Sequence, residues 1–280
     1  MRKVTFAILA VALVMATSVE RGFGAKYESV SITPIAGLAY QNLDDVGGII
    51  DAWNTWMTDY LPAFAPGMGT PTAEEIGKGY SIIGDVRYRL GSRFLLALRA
   101  EYITDNASTL ASGFGNEFSA AAVPISLTAV YEFPGVLPSY LRRAKLNLGV
   151  GAGVVMRGVY KFEMYTPVDN HLTARATARG FQLHTLAEVE YPVFDHWGVV
   201  AEVSYRYTRI GELTYRSVSG SNEQTHQQWE GDGTTPGSGI FTGIPYPVVG
   251  EKVVYTTSGD VMKLDFSGFN LRIGLRLYAW

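Results

Sequence analysis

The sequence predicts an all-β chain, an eight-stranded antiparallel up-and-down transmembrane β-barrel with four long extracellular loops and a short helix in the first loop. Three observations lead there. Apolar and polar residues alternate with a period of two through one segment after another, a pattern that only strand geometry sorts onto two faces. The patterned segments run about ten residues, roughly twice an ordinary soluble strand and the length of a membrane-crossing one. The links between them alternate short and long, as in a barrel with tight turns at one end and loops at the other.

In chain order, the first feature is an export signal. Arg2 and Lys3 precede the apolar run from Val4 to Ala16, which ends among small residues. That is the pattern of a secretory signal peptide, too short to remain in a bilayer as a helix. We assign residues 1–25 to it, with cleavage between 18 and 25, and residues 26–280 to the barrel. Beyond it no apolar run approaches the roughly 18 residues of a spanning helix. The expected strands are residues 29–40 (carrying Pro34), 80–90, 93–103, 123–133, 145–156, 181–191, the stretch from Val199 to Thr208, and 269–277. Tight turns are expected at Leu90-Gly91-Ser92 and around Asp195, with a Pro-rich link from Pro134 to Ala144. The long gaps are 41–79, 104–116, 157–176 and 209–263.

The composition excludes several classes. The chain has 280 residues, 47% apolar and 18% charged, so it is not a disordered polymer. It has no Cys, which removes a disulfide scaffold, a lipidated N-terminal Cys, a thiolate metal site and a Cys nucleophile. A net charge of −3 gives no reason to expect a nucleic-acid partner.

The apolar strand face points outward. It carries Phe94, Tyr102, Phe181, Tyr191, Tyr205 and Tyr207, more rings than an eight-stranded interior can hold. The opposite face of the fifth strand reads Lys145, Asn147, Gly149, Gly151, Gly153. Glycine would weaken an exposed strand face; on an inner wall it leaves room for long arginine side chains from the opposite wall. Tyr40, Tyr80, Tyr88, Tyr102, Tyr131, Tyr191 and Tyr207 lie near strand ends, as in an aromatic girdle.

The segments Leu146 to Val154, Gly180 to Tyr207 and Ser267 to Leu277 resemble the small outer-membrane barrel superfamily that includes outer-membrane protein A, its X relative, the W-type barrels and the opacity-like proteins. The resemblance covers the C-terminal half; the first half matches in strand rhythm alone. It implies residence in a bacterial outer membrane and a C-terminal aromatic read by the barrel-assembly machinery, a role that falls to Trp280. Leu271, Ile273, Leu275 and Leu277 are one residue out of step with Tyr278 and Trp280. Either a bulge near Leu277–Tyr278 resets the register, or the ending departs from the pattern.

The alternation turns a set of charges into the lumen: Asp85, Glu101, Glu132, Glu188, Glu190 and Glu202 with Arg87, Arg89, Arg93, Arg99, Lys145, Arg206, Arg272 and Arg276. Buried charges persist when paired and hydrogen-bonded, so the expectation is an ion-pair network filling the barrel. His184 is expected to point inward beside Glu188. None of the four histidines has metal-ligand spacing, and no metal or other cofactor is expected. Lipid A deacylases resemble this architecture but carry a Ser two residues from a His on one strand. Here the residues at that offset from His184, His196 and His226 are Leu186, Gly198 and Gln228, and from His171 Thr173, so no enzyme is expected. Asp44-Asp45 reads as a solvated pair.

In the first loop Ile49/Ile50, Trp53, Trp56/Met57 and Tyr60/Leu61 recur at helical spacing over residues 48–61 and stop at Pro62. This helix either packs over the barrel mouth or lines a hydrophobic site, for which Trp53, Trp56, Met57 and Tyr60 are the candidates. The last long gap holds a flexible glycine-rich stretch, 231–239, then apolar residues 240–249 expected as a β-extension above the membrane. The expected function is a non-enzymatic surface barrel with a polar, salt-bridged lumen, serving membrane integrity or binding. The alternatives are a narrow channel or binding barrel for small hydrophobic molecules, and a lipid A-modifying enzyme. Expected partners are outer-membrane lipid, lipopolysaccharide and the assembly machinery, for a monomeric protein.

Overall fold

The structure is a computed structural model that describes residues 30–59, 62, 72–73, 76–111, 114–138, 143–165, 171–220, 249–253 and 260–279. The signal segment, Tyr60, the 231–239 and 240–248 stretches, and Trp280 lie outside these residues, as do the side chains of Trp56 and Met57. The elements in chain order are β1 (Val30–Tyr40), α1 (Asp44–Asp59), β2 (Lys78–Arg89), β3 (Phe94–Ala111), β4 (Phe114–Pro134), β5 (Lys145–Tyr165), β6 (His171–Phe194), β7 (Trp197–Ile210), β8 (Thr214–Gly220), β9 (Leu264–Asp265) and β10 (Gly268–Ala279).

Strands β1 to β7 pair with their neighbours in sequence order, β7 pairs with β10, and β10 closes on β1. Every pairing is antiparallel, so eight strands form an up-and-down ring with no open edge. Closure is what hydrocarbon demands, because an unpaired sheet edge there has no water to bond.

The burial pattern identifies the solvent. Through the lower part of the ring the exposed side chains are Leu38, Ile82, Leu127, Val150, Leu183, Val203, Ile273 and others like them, while Asp85, Arg87, Glu188, Glu202 and Arg276 are buried. A soluble protein does the reverse. Two aromatic belts bound this zone. Tyr88, Phe94, Tyr131, Phe133, Tyr191, Phe194 and Trp197 mark the end with the tight turns, and Tyr40, Tyr80, Tyr205, Tyr207 and Phe269 mark the other. Tyr80 and Tyr88 are separated by about 26 Å of strand at 3.3 Å per residue. At a tilt of about 40° this is about 20 Å along the membrane normal, close to the apolar band of such barrels.

Above the outer belt the pattern inverts. On β3 the outward residues change from Leu96, Leu98 and Tyr102 to Thr104, Asn106 and Ser108, and the inward ones from Arg99 and Glu101 to Ile103 and Ala107. On β6 the outward face changes from Leu183 and Phe181 to Arg179, Thr177, Arg175 and Thr173. Its inward face changes from His184 and Gln182 to Ala176, Ala174 and Leu172. Outside the lipid, water again surrounds the wall, and the ordinary hydrophobic preference returns.

Consequently residues 104–116 and 157–176, expected as loops, are largely strand. β3 continues to Ala111, β4 begins at Phe114, β5 runs to Tyr165 and β6 begins at His171. The β-extension expected at 240–249 falls almost wholly outside the described residues, with Val249 exposed; the extra strands found are β8, which pairs with β6 where β7 has ended, and the two-residue β9, which pairs with the end of β7.

The extended walls enclose an apolar core. Val46, Ile49, Ile50 and Trp53 of α1 join Ile103, Phe118, Phe162, Met164, Leu172, Tyr215, Met262 and Phe266 in one buried cluster. Their i, i+3, i+4, i+7 spacing on α1 makes a single apolar stripe. The helix begins at Asp44, earlier than its apolar spacing alone places it. Asp44 and Asp45 occupy the first turn, where negative charge suits the helix dipole. Asp45 is more than a solvated acid: its Oδ2 accepts the Lys263 backbone N–H at 2.8 Å. Asn54 clamps the following segment, donating to Ala73 O at 3.1 Å and accepting from Ala73 N at 2.7 Å.

The end of β10 resolves the question of register. Its pairing with β1 keeps one register from Leu38↔Leu271 to Val30↔Ala279, with no bulge. Tyr278 therefore faces the lumen while Leu277 faces lipid, and the ending departs from the simple alternating pattern.

Candidate functional site

The lumen is filled by charges that alternate in sign along one continuous chain. Arg206 pairs with Glu101 at 2.7 Å, and Glu101 with Arg272; Arg272 pairs with Glu202 at 2.8 Å, and Glu202 with Arg99 at 2.7 Å. Arg99 reaches Asp85 at 3.7 Å, Asp85 holds Arg87 at 2.9 Å, and Arg87 meets Glu188 at 2.6 Å. Glu188 shares Arg276 at 2.9 Å, and Arg276 also contacts Glu190. The chain leaves toward the turn end through Lys145, 4.0 Å from Glu190 and 3.7 Å from Glu132, and ends at Arg89, 2.9 Å from Glu132. The lumen charges named from the sequence, Arg93 excepted, are thus brought together.

Strand register explains why the order matters. Glu188 and Glu202 stand directly opposite each other on β6 and β7. Two carboxylates in that position repel. Here Arg87 and Arg276 enclose the first, and Arg99 and Arg272 the second. Glu188 accepts five hydrogen bonds: two from Arg87 at 2.9 and 2.6 Å, two from Arg276 at 2.9 and 3.0 Å, and one from Asn147 at 2.8 Å. Neutral groups complete the shell. Arg272 Nε donates to Ser81 Oγ at 2.7 Å, Arg276 Nε to Thr33 Oγ1 at 2.9 Å, Arg206 Nε to the Phe266 carbonyl at 2.9 Å, and the Tyr278 hydroxyl to Glu190. The sequence pattern singled out the charges and not Ser81 or Thr33, because a hydroxyl shows no partner until the opposite wall is in place.

Three expectations change. Arg93 does not face the lumen; it lies exposed in the β2–β3 turn, its Nη1 donating to the Tyr131 hydroxyl at 3.3 Å. His184 is inward and buried, but its partners are Thr128 and Gln182 rather than Glu188. Nε2 lies 2.9 Å from Thr128 Oγ1 and Nδ1 lies 3.4 Å from Gln182 Nε2. Gln182 Oε1 accepts from Thr208 at 3.1 Å, so its amide nitrogen donates to Nδ1 and the imidazole proton sits on Nε2. The glycines of β5 make room for adjacent-strand neighbours, not for arginines across the lumen. A Cβ on Gly151 would lie 2.5 Å from His184 Cε1 and 2.7 Å from Thr128 Oγ1. Gly151→Val is therefore expected to displace His184 and cost about 1–3 kcal/mol, read as a lowered urea midpoint in lipid vesicles; Gly91→Val, in open space in a turn, is the control.

Of the hydrophobic-site candidates, Trp53 is 2% exposed, inside the core beneath α1; Trp56, Met57 and Tyr60 lie outside the described side chains. Two cavities adjoin these features. One of about 10 Å³, room for about a single water, lies within the charge chain against Arg99, Arg206, His184 and Asn270. The other, a cleft of about 410 Å³, opens at the rim by Tyr40, Gln41, Ile76 and Phe269. The Gln41 amide is buried there with no hydrogen-bond partner on either atom.

No protein-family model matches the chain, and no curated protein matches it. Solved structures do align with it. Neisserial surface protein A (NspA) does so over 90% of this chain and 97% of its own, at 12% identity and a TM-score of 0.40. The outer membrane protein OprG from Pseudomonas aeruginosa does so over 89% and 95%, at 11% identity and a TM-score of 0.39. The chain's own geometry is what places it. A closed ring of eight antiparallel strands, apolar toward lipid and ion-paired within, makes this chain a small membrane-spanning β-barrel.

Proposed function

We propose that this protein is a non-enzymatic surface barrel whose lumen is sealed and whose working part is the platform built above the membrane. The observation that carries this reading is the double closure. The alternating charge chain leaves a cavity of only about 10 Å³ within it, and the Trp53 core sits between that chain and the extracellular side. The sealed wall then serves as a rigid anchor for the extended β3–β6 sheet and its helix. His184, held between Thr128 and Gln182 inside the wall, has no access to lipid, which argues against its use as a base in lipid chemistry.

The rim cleft favours a second reading, a lateral binding site for a small amphiphile, with Tyr40, Ile76 and Phe269 against its apolar part and Gln41 bonding a polar group. One experiment separates the two. In planar bilayers and in loaded vesicles the wild-type protein is expected to show neither conductance steps nor faster uptake of a fluorescent hydrophobe. Ion conductance would overturn the sealed lumen; accelerated hydrophobe uptake without conductance would select the lateral site.

A further inference from the structure

The outer flank formed by β5, β6 and β8, just above the lipid-facing band, gathers arginines that no acid among the described residues neutralises. Two register irregularities create it. On β5 the pairing with both neighbours shifts around residues 156 and 157, and Met156 and Arg157 are both exposed as a result. On β8 the pairing with β6 shifts between Tyr215 and Ser217, leaving Arg216 as the extra residue. Its Nε donates to Thr177 Oγ1 at 3.3 Å, which fixes it on the outer face. Between them β6 presents Arg175, Thr177 and Arg179 outward.

Arg157, Arg179 and Arg216 line a groove of about 600 Å³ together with Met156, Thr177 and Glu212. Glu212, its one acid, is held by Lys252. Among the described residues, neither these three arginines nor Arg175 has an ion-pair partner. Arg175 Nε is buried without a hydrogen bond, and burial together with the nearby Arg157 pushes this guanidinium below its usual range. Like charges gathered in one groove favour a bound anion.

Height specifies the anion. Arg179 stands two residues above lipid-facing Phe181 on β6, and Arg157 three above lipid-facing Val154 on β5. Two residues of strand are about 7 Å, so the guanidiniums reach headgroup level. Met156 gives the groove an apolar floor continuous with the lipid band. Next to it on the ring, Arg209 lies 5.3 Å over the Tyr207 ring of the outer aromatic belt. We propose that the groove of Arg157, Arg179 and Arg216 binds the phosphate of a phosphorylated outer-leaflet glycolipid, whose acyl chains run down over Met156, Val154 and Phe181. This rests on the barrel's outer-membrane orientation and is independent of whether the lumen is sealed.

The test titrates the full-length protein in detergent with bis-phosphorylated lipid A, with the same lipid dephosphorylated, and with inorganic phosphate. The phosphorylated lipid is expected to bind tightest. The variant R157Q/R179Q/R216Q should bind it about a hundredfold more weakly, the loss expected when at least two charge-assisted contacts disappear. Arg93→Gln, in the turn at the other end of the barrel, should bind as wild type does. If the triple variant does not fold, Arg179→Gln, on an exposed side chain, should still weaken binding about tenfold, one such contact's worth. Unchanged binding by the folded variants overturns the proposal, as does equal affinity for the dephosphorylated lipid. Inorganic phosphate binding as tightly as the lipid overturns the glycolipid assignment. A sealed or conducting lumen is read separately in bilayers, so either conclusion can fail alone.

Discussion

Replacing Glu188 with alanine is expected to destabilise the barrel by about 3–5 kcal/mol, the range for removing one partner from a buried ion pair. The size follows from what is left behind. Arg87 and Arg276 are almost fully buried, and each gives Glu188 two hydrogen bonds. Without that carboxylate, among the described residues Arg87 keeps Asp85 alone as an ion-pair partner, and Arg276 keeps Glu190 alone. Asn147 loses its 2.8 Å acceptor as well. The surrounding positions are packed side chains inside a ring bounded by hydrocarbon, so bulk solvent does not reach the freed guanidiniums. Reversible urea unfolding in lipid vesicles measures the effect as a lowered midpoint. A variant within about 0.5 kcal/mol of wild type, the scale of an ordinary surface change, would show that the charge chain is not what holds the opposing walls together.

Trp53→Ala carries the second large effect, about 3–5 kcal/mol for a buried Trp truncated in a packed core. Trp53 packs in the cluster formed by α1 and the inner faces of the extended walls. Its loss is expected to fall on the cap alone, because the charge chain lies lower in the barrel than the cluster around α1. Protection from amide exchange should drop across Asp44–Asp59 and the upper parts of β3–β6, while exchange in the lower strands stays slow. Conductance should stay absent, since the lower seal remains. A variant that conducts would instead identify the helix as the sole closure and overturn the double seal.

The two predictions divide along the line where sequence reading was strong and where it was not. Inward placement of Asp85, Glu101, Glu188, Glu202, Arg272 and Arg276 follows from parity alone, because a strand's side chains alternate and the lipid face must be apolar. Partners do not follow. Arg206 and Glu101 lie 105 residues apart, and Arg272 and its hydroxyl acceptor Ser81 lie 191 apart. His184 illustrates the limit: two positions from Gln182 and four from Glu188 on the same face, it takes Gln182 and a hydroxyl on β4. The strand extensions were nearly legible. Leu172, Ala174 and Ala176 alternate with Thr173, Arg175 and Thr177 as strictly as any spanning segment. Their outward face is polar, so a search for apolar outward faces passes them over. Met156 and Arg157 are a different case, because a bulge shows in no periodicity until the neighbouring strands set the register.

The sequence by itself determined that this chain crosses a membrane as strands, how many strands do so, and which side chains each turns to lipid or lumen. These are consequences of a period of two meeting an apolar solvent, and they need no knowledge of the other strands. Only the tertiary structure decided how far the walls rise beyond the lipid, that α1 closes the mouth, and which arginine meets which carboxylate. It also decided that Arg157, Arg179 and Arg216 share one groove. Those depend on the stagger between strands distant in sequence, and closure of the ring sets that stagger for all eight strands together.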